Sequence, residues 1–138
     1  MATQVTTSAQ YADLAEMYVA DADYIPGTVV EFGGEFEVTA SNNNHSTAVA
    51  GIVSTMPGYL MNAEQTGDNV LAIALVGRVP CQVIGTITKG DLLVTSELSG
   101  VATTLDSELY RPGCIIGKSL EDYASDNVGV IEVVVGRT

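Results

Sequence analysis

A chain of 138 residues is long enough to close a single core and leaves little surplus for a second independent one. Seventeen acidic against five basic residues give a formal charge of −12, a surface that repels phosphate backbones and anionic lipid and so excludes nucleic acid and membranes as charge-attracted partners. Hydrophobic residues make up 46% of the chain and charged residues only 16%, too apolar for disorder, so part of the apolar surface is expected to be buried by neighbouring copies.

The start, "MATQVTTSAQ", has neither the basic segment nor the apolar core of a signal peptide, and no stretch reaches the roughly 18 apolar residues of a membrane span, so a soluble, cytosolically made chain is expected. Residues 1–23 read as an N-terminal arm. In "SAQYADLAEMYVADADYIPG", Tyr11, Leu14 and Tyr18 fall at i, i+3 and i+7, one stripe of a short helix. Ser8 stands at its N-cap position and Pro26 blocks its continuation, although the same string also fits an extended segment. With Met17 and Val19, these side chains offer more apolar surface than a free tail shows to water. The arm is therefore expected to reach a neighbouring subunit, the alternative being that it folds back onto its own domain.

Residues 24–138 read as an all-β domain. "GTVVEF", "EFEVTA", "TAVAGIVS", "NVLAIALVGRVPCQVIG", "GDLLVTS", "GVATTL", "CIIGKSL" and "GVIEVVVGR" are short, rich in valine and isoleucine, and separated by Gly, Pro, Asn, Asp and Ser. The alternation in "EFEVTA" suits a half-exposed strand, with Phe36 and Val38 on one face and Glu35 and Glu37 on the other. The nearly continuous apolar runs "VLAIALV" and "IEVVVG" suit central strands or an interface. Glycine splits "VAGIVS" and "IIGKSL", the mark of a bulge, a barrel corner or a close backbone approach, and "FGGE" and "LSGV" read as hairpin turns.

Aligning the glycines exposes a repeat of about sixty residues. The segments 26–82 and 89–138 carry four similar blocks in the same order, with Gly27 matching Gly90, Gly51 matching Gly117, and Gly77-Arg78 matching Gly136-Arg137. The expected architecture is a compact β-barrel or sandwich of two pseudo-repeated halves with few exposed edges.

The chemistry-bearing residues are few. His45, the sole histidine, lies in the polar loop "SNNNHST" and is expected to be solvated, without the partners of a zinc site. Cys81 and Cys114 stand in apolar surroundings without C-x-x-C spacing and read as buried thiols, their pairing undecided. Neither phosphate-cradling glycine motif occurs. No catalytic, cofactor-binding or metal-ligating residue is assigned, and no cofactor is expected. Arg78 and Arg137 each follow an apolar strand and a glycine, positions suited to ion pairs at strand ends or subunit contacts.

The strings "YADLAEMYVADADYIPGTVVEFGG", "VAGIVSTMPGYLMNAE", "ALVGRVPCQVIGTITKGDLLVTS" and "GCIIGKSLED…GVIEVVVGR" together resemble a domain at the C-terminal ends of tail-fibre and other structural proteins of tailed phages, particularly phages of marine cyanobacteria. The resemblance runs from Tyr11 to Arg137. It implies a β-rich, non-enzymatic virion protein, synthesised in the host cytoplasm and multimeric, with a homotrimer expected. That family usually follows a long shaft. A copy with only an arm resembles the capsid decoration, or cement, proteins, so the virion partner is either a fibre shaft or a major capsid protein. On either placement Tyr11, Leu14, Met17, Tyr18, Val19, Arg78 and Arg137 are the expected subunit or virion contacts. For a fibre tip, Asn42, Asn43, Asn44, Tyr59 and Tyr110 are the expected host-surface contacts, because binding specificity is commonly carried on loops of a rigid scaffold. A looser likeness of "YADLAEMY" to the self-cleaving chaperone domains of phage appendages, the peptidase G2 type, gives an enzymatic alternative with Ser8 as nucleophile and no identifiable base.

Overall fold

The structure, a computed structural model, describes residues 13–54 and 59–136. The expected β architecture is what it shows: ten strands, and among the described residues the only helical element is the 3-10 turn Ser107–Leu109. In chain order the strands are β1 (Asp13–Val19), β2 (Val29–Phe32), β3 (Val38–Ala40), β4 (Val49–Ser54), β5 (Tyr59–Met61), β6 (Val70–Ile87), β7 (Leu92–Thr95), β8 (Ala102–Thr104), β9 (Gly117–Ser119) and β10 (Tyr123–Val135).

One long strand organises the molecule. The 18 residues of β6 run through the whole segment "VLAIALVGRVPCQVIGTI" and serve two rings in succession. Its second half pairs antiparallel with β10, and the order β6-β8-β7-β9-β10 returns to β6, closing a five-stranded barrel. Its first half pairs with β1 on one side and β4 on the other, and the path continues through β2 to β3. That second path comes back to β1 through a parallel bridge between Ala20 and Val38 and through the Glu37 N–H donating to the Val19 carbonyl at 3.0 Å. Pro80 falls where β6 is changing neighbours, between the β4 pairing at 72–74 and the β8 pairing at Val83, an interval in which a missing N–H is tolerated.

Most of the described part of the segment expected as an arm is therefore a strand. Asp13–Val19 is extended, not helical, and is hydrogen-bonded along its length to β6 of its own chain, with β5 parallel on its other side. Two β-branched partners, Val19 opposite Val70, end the ladder, and Asp21 begins the turn that carries the chain to Pro26. Ser8 and Tyr11 lie outside the described residues.

Corresponding strands meet in corresponding registers. Val30 faces Gly51 between β2 and β4, as Leu93 faces Gly117 between β7 and β9. The Gly27 N–H donates to Val53 O at 2.9 Å, as the Gly90 N–H donates to Ser119 O at 2.8 Å. At Gly51 a Cβ would collide with the carbonyl of Ala74, and at Gly117 with the carbonyl of Val134. Each of these glycines lets one strand approach the next closely enough to turn the barrel wall. The third matched pair falls differently: counted along the β4–β6 and β9–β10 ladders, Val135 answers Leu75, which sets Gly136 one station short of Gly77. The ladder between β1 and β6 has a register shift at Leu14/Ala15, opposite this stretch, and such an irregularity displaces one strand by one residue.

The first sheet is buried on both faces. Of the neighbours Val29/Val30, Ile52/Val53 and Ile73/Ala74, one side chain of each pair enters a small cluster with Ala20 and Val38. The other enters the main core, with Val79, Cys81, Val83, Leu93 and Val133 of the closed barrel. Successive strand residues point to opposite faces, so burial of both members means that the sheet is covered on each side. Each fully buried Val, Ile or Leu contributes about 1.5–3 kcal/mol before ordering costs.

Candidate interaction surfaces

The loop between β3 and β4 ties the rings together, and His45 is its centre. Contrary to the expectation of a solvated loop residue, His45 is 7% exposed and takes a left-handed backbone with φ 54°. Its N–H donates to Thr95 O at 2.9 Å, its Nε2 accepts from the Asp106 N–H at 3.1 Å, and its Nδ1 meets Asn44 Oδ1. Thr95, fully buried, donates its hydroxyl to Asn43 O at 2.6 Å and accepts the Ser46 N–H at 2.7 Å. This is structural hydrogen bonding: it supplies partners to the backbone of two loops that would otherwise be buried without them. Nothing in the sequence near His45 signals this, because both partner segments come from the other ring.

The expected contact residues divide. Leu14, Met17, Tyr18 and Val19 all lie in β1 and are half-buried in the sheet, not presented on an arm. Tyr18 packs edge-on against Phe32 with ring centroids 5.5 Å apart, and its hydroxyl donates to Glu16 Oε1 at 2.9 Å. Partial burial, with Glu16 and Glu37 close by, pushes its phenol up to about 12. Arg78 lies across the β6–β10 ladder with its Nε 3.3 Å from Glu132 Oε1, an ion pair without hydrogen-bond alignment. Burial raises the Glu132 carboxyl above its usual range, against the pull of Arg78. Asn42, Asn43, Asn44 and Tyr110 are exposed, Tyr110 to 53%. Tyr59 is in β5, with its backbone in register with Leu14. Arg137 lies outside the described residues.

Two surfaces that sequence reasoning did not select stand out at opposite stations of the fold. On the first ring, the β2–β3 hairpin carries Phe32, 48% exposed, and Phe36, 53% exposed, beside the exposed carboxylates of Glu35 and Glu37. On the closed barrel, a cleft of about 460 Å³ is lined by Lys89, Gly90, Lys118, Ser119, Leu120 and Val134. It holds two of the chain's five basic residues against an apolar wall. Exposed aromatic side chains on a small domain mark contact surfaces, and the lysines place two positive charges at the cleft beside Asp122, whose carboxylate accepts the Lys89 backbone N–H at 2.7 Å.

Cys81 and Cys114 are both buried free thiols, and full burial pushes the Cys81 thiol up to about 12. Among the described residues no group of three or more His, Cys, Asp or Glu side chains is arranged to hold a metal ion, and no helix is long and apolar enough to cross a membrane.

Comparison with protein-family models and with curated protein sequences returns no match. Among solved structures the chain is similar to the N base of head fiber gp8.5 of bacteriophage phi29, with a TM-score of 0.49 and 15% sequence identity, over 90% of this chain and 94% of that one.

Proposed function

We propose that this protein is a non-enzymatic structural component of a bacteriophage virion, oligomeric and displayed on the particle surface, as part of a tail fibre or other appendage or as a capsid decoration protein. The observation that carries the reading is the pair of exposed surfaces, Phe32/Phe36 with its carboxylates and Lys89/Lys118 with its apolar wall, on a closed β scaffold. A rigid double barrel with chemically distinct contact ends suits an assembly part, whose task is to hold neighbours in register. The sequence motifs quoted above, which resemble those of tailed-phage structural proteins, support the virion as the assembly. A net charge of −12 suits a part that faces solvent and ions outside the particle, not the packaged nucleic acid.

The test is quantitative protein analysis of purified virions. Presence at a copy number comparable with the major capsid protein supports decoration, and a far lower copy number supports an appendage. Complete absence from particles that carry their other structural proteins overturns the virion reading.

A further inference from the structure

We propose that copies of this chain join head to tail, the Phe32/Phe36 end of the first ring seating on the Lys89/Lys118 end of the closed barrel of a neighbouring copy. The proposal rests on the oligomeric part of the reading above and not on the virion assignment.

The two rings of one chain already make such a contact with each other. The first ring offers its residues 27–29 and 41–46, and the closed barrel meets them with Gln82, Thr95, Gly100 and Asp106. The Gln82 N–H donates to Gly27 O at 2.9 Å, the Val29 N–H to Gly100 O at 2.9 Å, and the Gly100 N–H to Ser41 O at 2.8 Å. The β7–β8 hairpin, with Gly100 against Thr28, is thus pressed onto one end of the first ring. Ile52 and Ala74 of that same end are buried in the shared core.

The two rings repeat one order of pairing, in which β2, β3 and β4 answer β7, β8 and β9. Taken as two copies of one unit, they leave one face of each kind uncovered. The counterpart of the β7–β8 hairpin is the β2–β3 hairpin, residues 33–37, which holds Phe36 and continues from Phe32. The counterparts of Gly27, Ile52 and Ala74 are Gly90, Lys118 and Val134, which line the open cleft. A neighbouring copy can therefore repeat between molecules the contact that already exists within one.

Chemistry favours the same occupant. The hairpin brings two aromatic rings, the exposed carboxylate of Glu35 and that of Glu37, one oxygen of which already accepts the Val19 N–H at 2.8 Å, whereas the cleft brings an apolar wall from Leu120 and Val134 and the side chains of Lys89 and Lys118. Aromatic anchors in an apolar cleft supply affinity, and the opposite charges around them set orientation. At the internal contact the stations of Lys118 and Lys89 are held by Ile52 and Pro26, which need no charged partner. The hairpin facing them carries one carboxylate, Glu97, whereas the β2–β3 hairpin carries two, Glu35 and Glu37. Because the two surfaces differ, the contact is heterologous, closing a ring when the rotation repeats and growing a filament when it does not.

The experiment uses the full chain. Sedimentation velocity over a concentration series is expected to show assembly, with Phe36→Asp and Lys118→Glu each weakening it at least tenfold while leaving the circular dichroism spectrum and Tm of the wild type unchanged. A second measurement stands apart from any change in folding: chains carrying Phe36→Cys are mixed with chains carrying Lys118→Cys and oxidised. A disulfide-linked heterodimer forming in clear excess over either homodimer supports the head-to-tail contact. A chain that stays monomeric across the series, assembly indifferent to both charge changes, or cross-linking confined to like pairs overturns it. None of these outcomes bears on whether the protein is found in virions.

Discussion

His45 Nε2 accepts the backbone N–H of Asp106 at 3.1 Å across 61 positions of sequence, joining the β3–β4 loop of the first ring to the turn that precedes Ser107–Leu109 in the closed barrel. The same histidine anchors its own loop through Thr95, so one imidazole fastens two segments that no local interaction holds together. Replacing it with alanine removes the acceptor and leaves a residue poorly suited to φ 54°, for an expected loss of about 1–3 kcal/mol. His45→Asn, which tolerates the left-handed backbone, should lose less. Urea denaturation of the two variants checks the order.

Gly51 and Gly117 are expected to be the least replaceable glycines in the strands. A valine at either drives its side chain into a backbone carbonyl of the neighbouring strand, which cannot move without breaking the ladder. The cost is on the order of 3 kcal/mol or more, enough to prevent soluble expression of a marginal domain. At Gly67 the nearest atoms to an added Cβ are methyl groups of Val70 and Val19 at 3.4 and 3.6 Å, and the same change should cost distinctly less. Thermal melts of the three variants make the comparison.

Tyr18 predicts an alkaline limit. Its phenol ionises near 10 in the unfolded chain and at about 12 in the folded one, so the folded state holds the proton more tightly. The stability this contributes is complete below pH 10 and is lost as the pH rises toward 12. Tyr18→Phe should remove that part of the alkaline slope while keeping the packing against Phe32. Denaturant midpoints measured from pH 8 to about pH 11.5 show whether the slopes differ as expected.

The Arg78–Glu132 pair should matter little. Both side chains are about a third or more exposed, 42% and 32%, and the geometry is a contact without aligned hydrogen bonds. Glu132→Gln is expected to change stability by less than about 1 kcal/mol at neutral pH. Because burial raises the Glu132 carboxyl, its protonated form is favoured in the folded state. That contribution is present below the ordinary carboxylate range and fades as the pH rises through the raised value. Glu132→Gln should remove that part of the pH dependence, which denaturant midpoints of the two proteins across that interval would show.

The buried thiols offer a direct probe of the core. With Cys81 and Cys114 both inaccessible and the Cys81 thiol held protonated by burial, reaction with a disulfide reagent should be slow in the native protein and become rapid on unfolding. Leu93→Ala, which empties a fully buried site between β8 and β9, should cost about 2–5 kcal/mol and raise the native labelling rate in proportion. Labelling kinetics followed by mass measure both effects.

From Tyr24 onward the amino-acid sequence by itself determined the class of fold, since β-branched runs bounded by Gly, Pro, Asn and Asp leave no stretch there with a helical stripe long enough to compete. It also marked β6 and β10, whose nearly continuous apolar runs fall on strands hydrogen-bonded to neighbours on both sides, and it marked Gly51 and Gly117, whose missing Cβ is a local requirement of a close crossing. The fate of Asp13–Val19 was not local. Its spacing fits a helical stripe as well as a strand, and the free edge of β6 decides for the strand by satisfying its backbone hydrogen bonds. The burial of His45 was equally beyond sequence, because its partners, Thr95 and Asp106, arrive from 50 and 61 residues away. The uncovered ends follow the same rule. Phe36 alternates correctly with Val38 as an inward residue, yet it stays in water because the hairpin that carries it is left without the cover that the first ring gives its counterpart in the closed barrel.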